Sequence, residues 1–424
     1  MNDWLQQAEA LDAADPLREY RDQFWVPRHS DGKAQLYFCG NSLGLQPKRL
    51  QADMARELEA WKTLGVEGHF AGDAPWMPYH ELLREPLARL VGAQPAEVVA
   101  MNSLTVNLHL MMVSFFRPSG SRNRILIERQ PFPSDRYAVE SQLRFHGLDP
   151  GECLVELGGG EDDRVIEESR IEAYLREHGD QIALVLWPGV HYASGQLFDL
   201  RRIAAAAREA GAKVGFDLAH AAGNVPLALH DSGADFASWC SYKYLNAGAG
   251  AVAGCFVHER HHGNNDLPRF HGWWGADPAH RFRMGPEFHP APGADAWQLS
   301  NPPILAMAPL RSSLQLFDEA GMSALREKSE LLTGFMADLV SARFESLLEI
   351  ITPADPERRG CQLSLRVRAG REAGRRLFKY LHAHGVITDW REPDVIRVAP
   401  VPLYNRFEDC ARFGELLTAY PGSP

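Results

Sequence analysis

Residues 212–257, AKVGFDLAHAAGNVPLALHDSGADFASWCSYKYLNAGAGAVAGCFV, decide the fold of this chain. The stretch contains three short apolar runs, at 212–218, 235–241 and 251–257, and each is bounded by Gly, Asp or Pro. Runs of this length and composition are typical of buried β-strands. Two more runs of the same kind lie upstream, at 124–128 and 182–187. We therefore predict at least five strands buried on both faces.

Two segments between these runs show helical spacing. Within 167–177 and 199–210 the apolar residues recur at steps of three and four, so each segment buries one face. Asp199 is a plausible N-cap of the second helix and Gly211 a plausible stop. Strands that alternate with helices indicate an α/β fold, with a mostly parallel central sheet and helices on both faces.

The C-terminal part of the chain has a different pattern, which indicates a smaller α+β domain. It combines helical and strand-like runs, at 322–344, 361–367, 372–384 and 395–401. A Trp-, Pro- and Gly-rich stretch, 270–303, precedes it, and loops of that length are usually functional. We predict an N-terminal arm over residues 1–60 that contributes to the small domain, a large domain over 61–310 and a small C-terminal domain over 311–424.

The overall composition excludes several classes of protein. Of the 424 residues, 55 are acidic and 44 are basic, which gives a formal charge of −11, whereas nucleic-acid binders are usually basic. No apolar run approaches the ~20 residues of a membrane span, and the acidic N-terminus has no signal-peptide core. The six cysteines include no C-x-x-C pair. We expect a cytoplasmic protein with reduced thiols, and neither nucleic acid nor membrane as a partner.

Three short motifs match known signatures only superficially. GNSLG at 40–44 has the form of a hydrolase nucleophile elbow, but too few residues precede it to form the strands that such an elbow follows, so Ser42 is not expected to be a triad nucleophile. HERHH at 258–262 fits H-E-x-x-H, which binds zinc only when a helix places both histidines on one face. Here the motif follows a predicted strand and precedes a turn, so we expect a solvated loop and no metal site. GAGAVAG at 248–254 lacks the spacing of a dinucleotide loop.

A carboxylate and a lysine form a more informative pair. Asp217 lies at the carboxyl end of a predicted strand, the edge at which open α/β sheets bind ligands. Lys243 follows the next strand and is flanked by Tyr242 and Tyr244, so a desolvated amine nucleophile is expected there. Pyridoxal phosphate requires such a lysine for its covalent link, and a carboxylate that keeps its pyridine nitrogen protonated. A structural Asp–Lys ion pair explains the spacing equally well.

Other parts of such a site are also present in the sequence. Residues 103–105, Ser-Leu-Thr, open an apolar helix, whose N-terminus attracts phosphate through its free N–H groups and its dipole. Residues 132–135, Phe-Pro-Ser-Asp, open another helix, and Phe132 could stack on an aromatic ring. His220 lies three residues beyond Asp217 and could pack against that ring, although the sequence around His220 taken alone favours a core histidine.

Nine stretches between about residues 36 and 405 resemble the kynureninase family, pyridoxal-phosphate enzymes of the aspartate-aminotransferase fold (fold type I). They are GNSLGLQPK, MNSLTVNLHLMMVSFF, FPSDRYAVESQ, GVHYASGQ, VGFDLAHAAGNV, WCSYKYLNAGAG, GWWG, LSNPPI and IRVAPVPLYN. FDLAH followed by SYKYLNAGAG is the most specific, and it distinguishes the chain from aminotransferases and cysteine desulfurases of the same fold. No cysteine is obviously placed as the nucleophile of a desulfurase.

The resemblance implies a role for each matching residue. Lys243, Tyr242 and Asp217 would be catalytic, with Tyr242 donating a proton to the β-carbon of the substrate. The implied cofactor-binding residues are Leu104, Thr105, Phe132, Pro133, Ser134, Asp135, Asp217, His220, Tyr242 and Lys243, together with Trp273 and Asn301 reaching the site across a homodimer. The implied substrate-binding residues are Arg397, His69, Ser42, Ser300, Asn301 and Trp273. Arg397 would clamp the α-carboxylate, with Arg391 as the second candidate.

The implied reaction is hydrolysis of the Cβ–Cγ bond of L-kynurenine or 3-hydroxy-L-kynurenine, in tryptophan catabolism or NAD biosynthesis. The products would be L-alanine and anthranilate or 3-hydroxyanthranilate. His69, Ser300 and Asn301 resemble the pattern of members that act on the 3-hydroxy compound, which favours that substrate. Pro188 replaces a Ser or Thr frequent in relatives and so removes one cofactor contact. An aminotransferase or β-lyase of the same fold and a non-catalytic relative stay open as alternatives.

Overall fold

The computed structural model describes residues 1–158 and 165–422. Its α-helices are α1 (Asn2–Ala14), α2 (Leu50–Leu64), α3 (Arg84–Val91), α4 (Leu104–Phe115), α5 (Pro133–Phe145), α6 (Pro150–Cys153), α7 (Glu168–His178), α8 (Leu200–Glu209), α9 (Leu229–Ser232), α10 (Pro278–Arg281), α11 (Ile304–Ala320), α12 (Met322–Phe344), α13 (Gly370–Ala383) and α14 (Phe407–Ala419). Short 3-10 helices lie at Arg18–Gln23, Gly65–His69, Tyr79–Leu83, Pro95–Glu97, Glu259–His261, Trp273–Gly275, Gly293–Trp297 and Pro356–Arg358.

The strands form one large sheet, one smaller sheet and two short pairs. They are β1 (Phe24–Trp25), β2 (Leu36–Tyr37), β3 (Gln46–Pro47), β4 (Val98–Ala100), β5 (Arg124–Glu128), β6 (Leu154–Leu157), β7 (Ile182–Pro188), β8 (Lys213–Asp217), β9 (Phe236–Trp239), β10 (Gly254–Val257), β11 (Leu348–Ile350), β12 (Leu363–Val367), β13 (Val386–Ile387), β14 (Asp389–Arg391) and β15 (Val395–Val398). Each of the five strands predicted in the middle of the chain coincides with one of these.

The central sheet has the strand order β4-β10-β9-β8-β7-β5-β6. Strand β10 runs antiparallel to both of its neighbours, and the other adjacent pairs are parallel. Apolar side chains alternate between the two faces of the strands, as in β5, where Leu126 belongs to one hydrophobic core and Ile125 and Ile127 to another. This confirms the predicted α/β fold with a mostly parallel sheet.

The C-terminal part builds a second, antiparallel sheet in the order β11-β12-β15-β14. Helices α12, α13 and α14 pack on it around a core that includes Met336, Leu377 and Phe413. The N-terminal arm joins this unit through several contacts. Strand β2 pairs in parallel with β13, and both carboxylate oxygens of Asp12 accept N–H groups at the start of α14, each at 2.9 Å. The contacts favour the predicted contribution of the arm to the small domain.

Helix α11 crosses the predicted end of the large domain. The predicted boundary between residues 310 and 311 falls inside this helix, and Met307, Leu310, Leu314 and Phe317 on both sides of it belong to the same core. Gly321 follows with a φ of 78° and separates α11 from α12. We propose Gly321 as the boundary. Among the described residues, no helix is long and apolar enough to cross a membrane.

Candidate active site

A cleft opens at the carboxyl ends of β5, β7 and β8, where the N-termini of α4 and α5 also converge. Ligands bind at this edge of parallel α/β sheets. The residues that line the cleft are Ser103, Leu104, Thr105, Glu128, Phe132, Ser134, Asp135, Pro188, Val190, Tyr192, Asp217, Ala219, His220, Tyr242 and Lys243. Nine of the predicted site residues therefore meet in one place, although they come from four separate stretches of sequence.

Lys243 lies buried in a tight turn after β9. The N–H of Asn246 donates to its carbonyl at 3.0 Å, and its Nζ lies 3.0 Å from Nε2 of His220 and 5.7 Å from the centre of the Phe132 ring. Burial, reinforced by the nearby charge of Lys243, lowers the pKa of His220 well below its usual range, so the imidazole is neutral. The amine thus contacts His220, rather than Asp217 as in the ion pair that the sequence left open.

Three carboxyl groups gather around the cleft. Asp217 is buried at the end of β8 and accepts the N–H of Ala219 at 2.6 Å. Burial, followed by the charge of Asp217, raises the pKa of Asp135 well above its usual range. Burial likewise raises the pKa of Glu128 to about 8, with the charge of Asp217 contributing. Glu128 therefore holds its proton at neutral pH, and the crowded carboxyl groups favour a cationic ligand.

The opposite end of the cleft suits a phosphate group. Oγ1 of Thr105 lies 2.9 Å from Oγ of Ser134, so the first turns of α4 and α5 face each other. Ser103, the N-cap of α4, makes no side-chain hydrogen bond to the helix, which leaves the first N–H groups of α4 for a ligand. Two helix N-termini and two hydroxyl groups make a compact anion site.

These features fit pyridoxal phosphate. Oδ1 of Asp135 and Nδ1 of His220 are buried without a hydrogen-bond partner, as expected where a polar ring belongs. Phe132 and Ala219 also line the cleft. Pro188 also lines it and offers no hydroxyl group. Lys243 is available for the covalent link, Asp217 and Asp135 for the pyridine nitrogen, and Thr105 and Ser134 for the phosphate.

Several predicted site residues lie outside this cleft. Pro133 is the first residue of α5, beside the lining. Ser300 and Asn301 are exposed, and His69 is held by a contact of its Nδ1 with the carbonyl of Val66 at 3.0 Å. Trp273 is 44% exposed and lines a separate cleft with His271, Arg283 and Phe288. Apart from Pro133, these residues do not line the cleft around Lys243 of their own chain, so their predicted roles depend on a second subunit.

Ser42 and Arg397 contact a residue that the sequence reasoning missed. The hydroxyl of Ser42 donates to Asp389 at 2.8 Å, and Nη2 of Arg397 lies 2.7 Å from the same carboxylate. Nη1 of Arg397 donates to the carbonyl of Tyr192 at 2.7 Å, so this group lies directly behind the cleft wall. The register of the hairpin, which pairs Asp389 with Arg397, is a signal that the sequence D-W-R-E-P-D-V-I-R could have supplied.

Gly44 explains the motif that resembles a nucleophile elbow. Its N–H donates to the carbonyl of Tyr242 at 2.8 Å. A Cβ at this position would overlap the carbonyl oxygen of Lys243 and the side chain of Asn246, and would lie 2.8 Å from Cα of Asn246. GNSLG therefore packs a glycine against the turn that carries Lys243, which requires a residue without a side chain.

Glu259 and Arg260 of the H-E-x-x-H stretch are exposed, as expected of a solvated loop, but its three histidines are buried or half-buried. His261 is buried, with Nε2 2.7 Å from Oδ1 of Asp235, and Nε2 of His262 lies 3.0 Å from the carbonyl of Val257. His258 lies 3.5 Å from Glu97, a carboxylate that already accepts two backbone N–H groups. The two outer histidines of the motif thus point to different partners.

Comparison with solved structures places this architecture in a known class. The chain is similar to a cysteine desulfurase from Thermococcus onnurineus (TM-score 0.73, 16% identity, 91% of this chain and 94% of that one). It is also similar to a mutant of C-DES with glycine linked covalently to its PLP cofactor (TM-score 0.76, 17% identity, 93% and 98%). The fold is that of pyridoxal-phosphate-dependent enzymes of fold type I.

Sequence comparison narrows the class further. A family model described as the kynureninase C-terminal domain matches residues 325–417. The chain is 61% identical over 422 residues to a kynureninase from Xanthomonas euvesicatoria (99% of each chain). It is 60% identical over 415 residues to one from Stenotrophomonas maltophilia (98% of each). The chain belongs to the kynureninase family.

Proposed function

We propose that this protein hydrolyses the Cβ–Cγ bond of an L-kynurenine, releasing L-alanine and an anthranilate. The observation that carries the proposal is that Lys243, in a chain of the kynureninase family, lies buried in the cleft next to neutral His220, and that Asp217 lines the same cleft. We further propose that the reaction belongs to cytoplasmic tryptophan catabolism or NAD biosynthesis.

The chemistry requires charge to be stabilised on substrate carbon atoms. When bound, pyridoxal phosphate acts as the electron sink for that charge. Lys243 would hold the bound cofactor through its amine and, once that amine is free, would take the proton from Cα of the substrate. Asp217 would hold a proton at the pyridine nitrogen and so keep the ring electron-poor. His220 stays neutral beside the lysine and so adds no charge that would oppose proton transfer.

Tyr242 is the proposed proton donor to Cβ. It lines the cleft next to Lys243, and burial, with Cys240 as a lesser cause, raises the pKa of its hydroxyl above the usual value. The phenol therefore keeps its proton at working pH and can deliver it when Cβ leaves. Water adds to Cγ, the Cβ–Cγ bond breaks, and the added oxygen becomes part of the anthranilate carboxylate.

Product analysis tests this proposal. The holoenzyme should convert kynurenine or its 3-hydroxy derivative to equal amounts of alanine and the corresponding anthranilate. A keto acid or ammonia would instead indicate an aminotransferase or a β-lyase. Lys243→Ala should lose both turnover and the visible absorbance band of the covalently bound cofactor, while Lys379→Ala, at an exposed lysine of α13, provides the matched control. Retention of that band in Lys243→Ala would contradict the lysine assignment.

For the substrate we propose 3-hydroxykynurenine over kynurenine. His69, Ser300 and Asn301 support this choice because His and Asn side chains can hydrogen-bond a phenolic hydroxyl, and sites built that way reject the analogue without it. The expected result is a kcat/KM about tenfold or more higher for the 3-hydroxy compound, and a smaller ratio in Asn301→Ala. Equal or inverted values for the wild-type protein would contradict the proposal.

We also propose a homodimer with shared active sites. Trp273 lies in a region with several exposed apolar side chains, Phe270, Phe282 and Met284 among them, which is unusual for a free surface. Mixing inactive Lys243→Ala and Trp273→Ala subunits should restore about a quarter of wild-type activity, because random pairing produces half mixed dimers with one intact site each. No recovery after subunit exchange would argue for sites built within one chain.

A further inference from the structure

A cluster of three charged side chains lies behind the wall of the cleft, on one face of the C-terminal sheet. Asp389 is the first residue of β14, and the antiparallel register pairs it with Arg397 on β15. Arg391 follows two residues later on β14, so it points to the same face. The Arg397 side chain is fully buried, whereas 11% of Asp389 and 33% of Arg391 are exposed.

Asp389 contacts both arginines at once. Nη2 of Arg397 lies 2.7 Å from its Oδ2, and Nε of Arg391 lies 3.0 Å from its Oδ1. Nη2 of Arg391 also donates to Oδ2 at 3.1 Å. The hydroxyl of Ser42 donates to Oδ2 at 2.8 Å and so holds the carboxylate from the side of the N-terminal arm. The orientation of both guanidinium groups is therefore set through one carboxylate.

The charges of this cluster do not cancel. Cys39 and Tyr192 are the nearby groups that could add a negative charge, but burial raises the pKa of Cys39 to about 11 and raises that of Tyr192 as well. Both are neutral at ordinary pH, so two cations face one anion. One positive charge is left over, which is the charge that a single carboxylate of a ligand would balance.

Tyr192 connects the cluster to the cleft. Its side chain lines the cleft with Phe132, against which it packs edge to face at 5.4 Å. Its carbonyl accepts Nη1 of Arg397 at 2.7 Å, and Cζ of Arg391 lies 5.9 Å from the centre of its ring. The surplus positive charge thus lies directly behind the wall that a bound amino acid would face.

We propose that Asp389 is a positioning residue, which holds Arg391 and Arg397 side by side so that they bind the α-carboxylate of the substrate. Without it the two guanidinium groups repel each other and lose their common anchor. The proposal rests on the proposed function only in that the ligand is an amino acid. Asp389 itself does not contact the reacting atoms.

The test compares two ligands of the holoenzyme, kynurenine and the amine that remains when its α-carboxylate is removed. Dissociation constants come from the change that each ligand causes in the visible absorbance of the cofactor, recorded after rapid mixing and before kynurenine is consumed. The variants are Asp389→Asn and the milder Ser42→Ala. The matched control is Glu392→Gln, on the same hairpin, where an exposed carboxylate is also shared by two arginines, Arg371 and Arg375.

Asp389→Asn should reduce the preference for kynurenine over the amine by about tenfold or more, with kcat within about threefold of the wild type and KM raised in parallel. Ser42→Ala should reduce the preference by roughly two- to fivefold, as expected for one lost hydrogen bond. Glu392→Gln should leave it unchanged. An unchanged preference in Asp389→Asn, or an equal loss for both ligands, would overturn the proposal. Absence of kynurenine cleavage by the wild type would overturn the proposed function instead, because the ligand comparison does not depend on turnover.

Discussion

Replacing Glu128 by glutamine should make the protein less sensitive to alkaline pH. The folded chain holds a proton on this buried carboxyl up to a pKa of about 8, whereas the ordinary value is 4.5. Between these pH values the unfolded chain has released the proton and the folded chain has not. The free energy of unfolding of the wild type therefore falls by about 1.4 kcal/mol for each pH unit in that window.

The size of the effect follows from the window. Its 3.5 pH units correspond to about 5 kcal/mol in total, of which a little over half lies between pH 6 and pH 8. A chain of 424 residues has an unfolding entropy of about 0.9 kcal/mol/K. The melting temperature of Glu128→Gln, relative to the wild type, should thus rise by about 3 °C from pH 6 to pH 9 and stay level above that.

Differential scanning fluorimetry of the cofactor-free proteins at pH 6, 7, 8 and 9 measures this difference. Glu177→Gln, on an exposed residue of α7, is the control and should show no such trend. If the melting temperature of Glu128→Gln is lower than that of the wild type by the same amount at every pH, the amide packs imperfectly. Such an offset does not change how the difference between the two proteins varies with pH. A difference from the wild type that stays constant within about 1 °C over this pH range would show that Glu128 is ionised in the folded protein.

Two further substitutions test packing around the site and the small domain. Gly44→Ala should lower kcat/KM by about tenfold or more, because the added Cβ displaces the backbone of Lys243. The control is Gly334→Ala, which has open space around the added Cβ and should leave steady-state kinetics unchanged. Equal activity of the two variants would contradict the role of Gly44. Lys328→Ala should lower the free energy of unfolding by about 3–5 kcal/mol, because it leaves the buried carboxylate of Asp15 without its partner at 2.7 Å. The melting temperature should fall by about 3–5 °C. A fall of less than about 1 °C would contradict this.

The central sheet was predictable because its strands are buried on both faces. Short continuous apolar runs such as 182–187 are typical of buried strands, and the turn residues on either side show where each strand begins and ends. The two-residue strands β1, β2, β3 and β13 carry no such pattern. They exist because partners distant in sequence pair with them, which a local pattern does not reveal.

The part of the cleft around Lys243 was more predictable than the cluster around Asp389. Asp217 and Lys243 each follow a recognisable strand, so their meeting at one sheet edge follows from topology. Glu128 also ends a predicted strand, but its significance depends on burial next to Asp217, which only the packed structure provides. Asp389 was missed because its partners come from the arm and from the adjacent strand. The roles of Trp273 and Asn301 stay predictions that depend on a second subunit.

The parallel pairing of β2 with β13 affects how the chain is made. Leu36 pairs with Val386, so 350 residues separate the partners. At synthesis rates of roughly 5–20 residues per second, the arm waits on the order of 20–70 s for its partner strand. During that time apolar residues such as Phe38, which is fully buried in the finished protein, have no native contacts. The newly made N-terminal segment therefore needs protection from aggregation on the ribosome until its partner strand has been made.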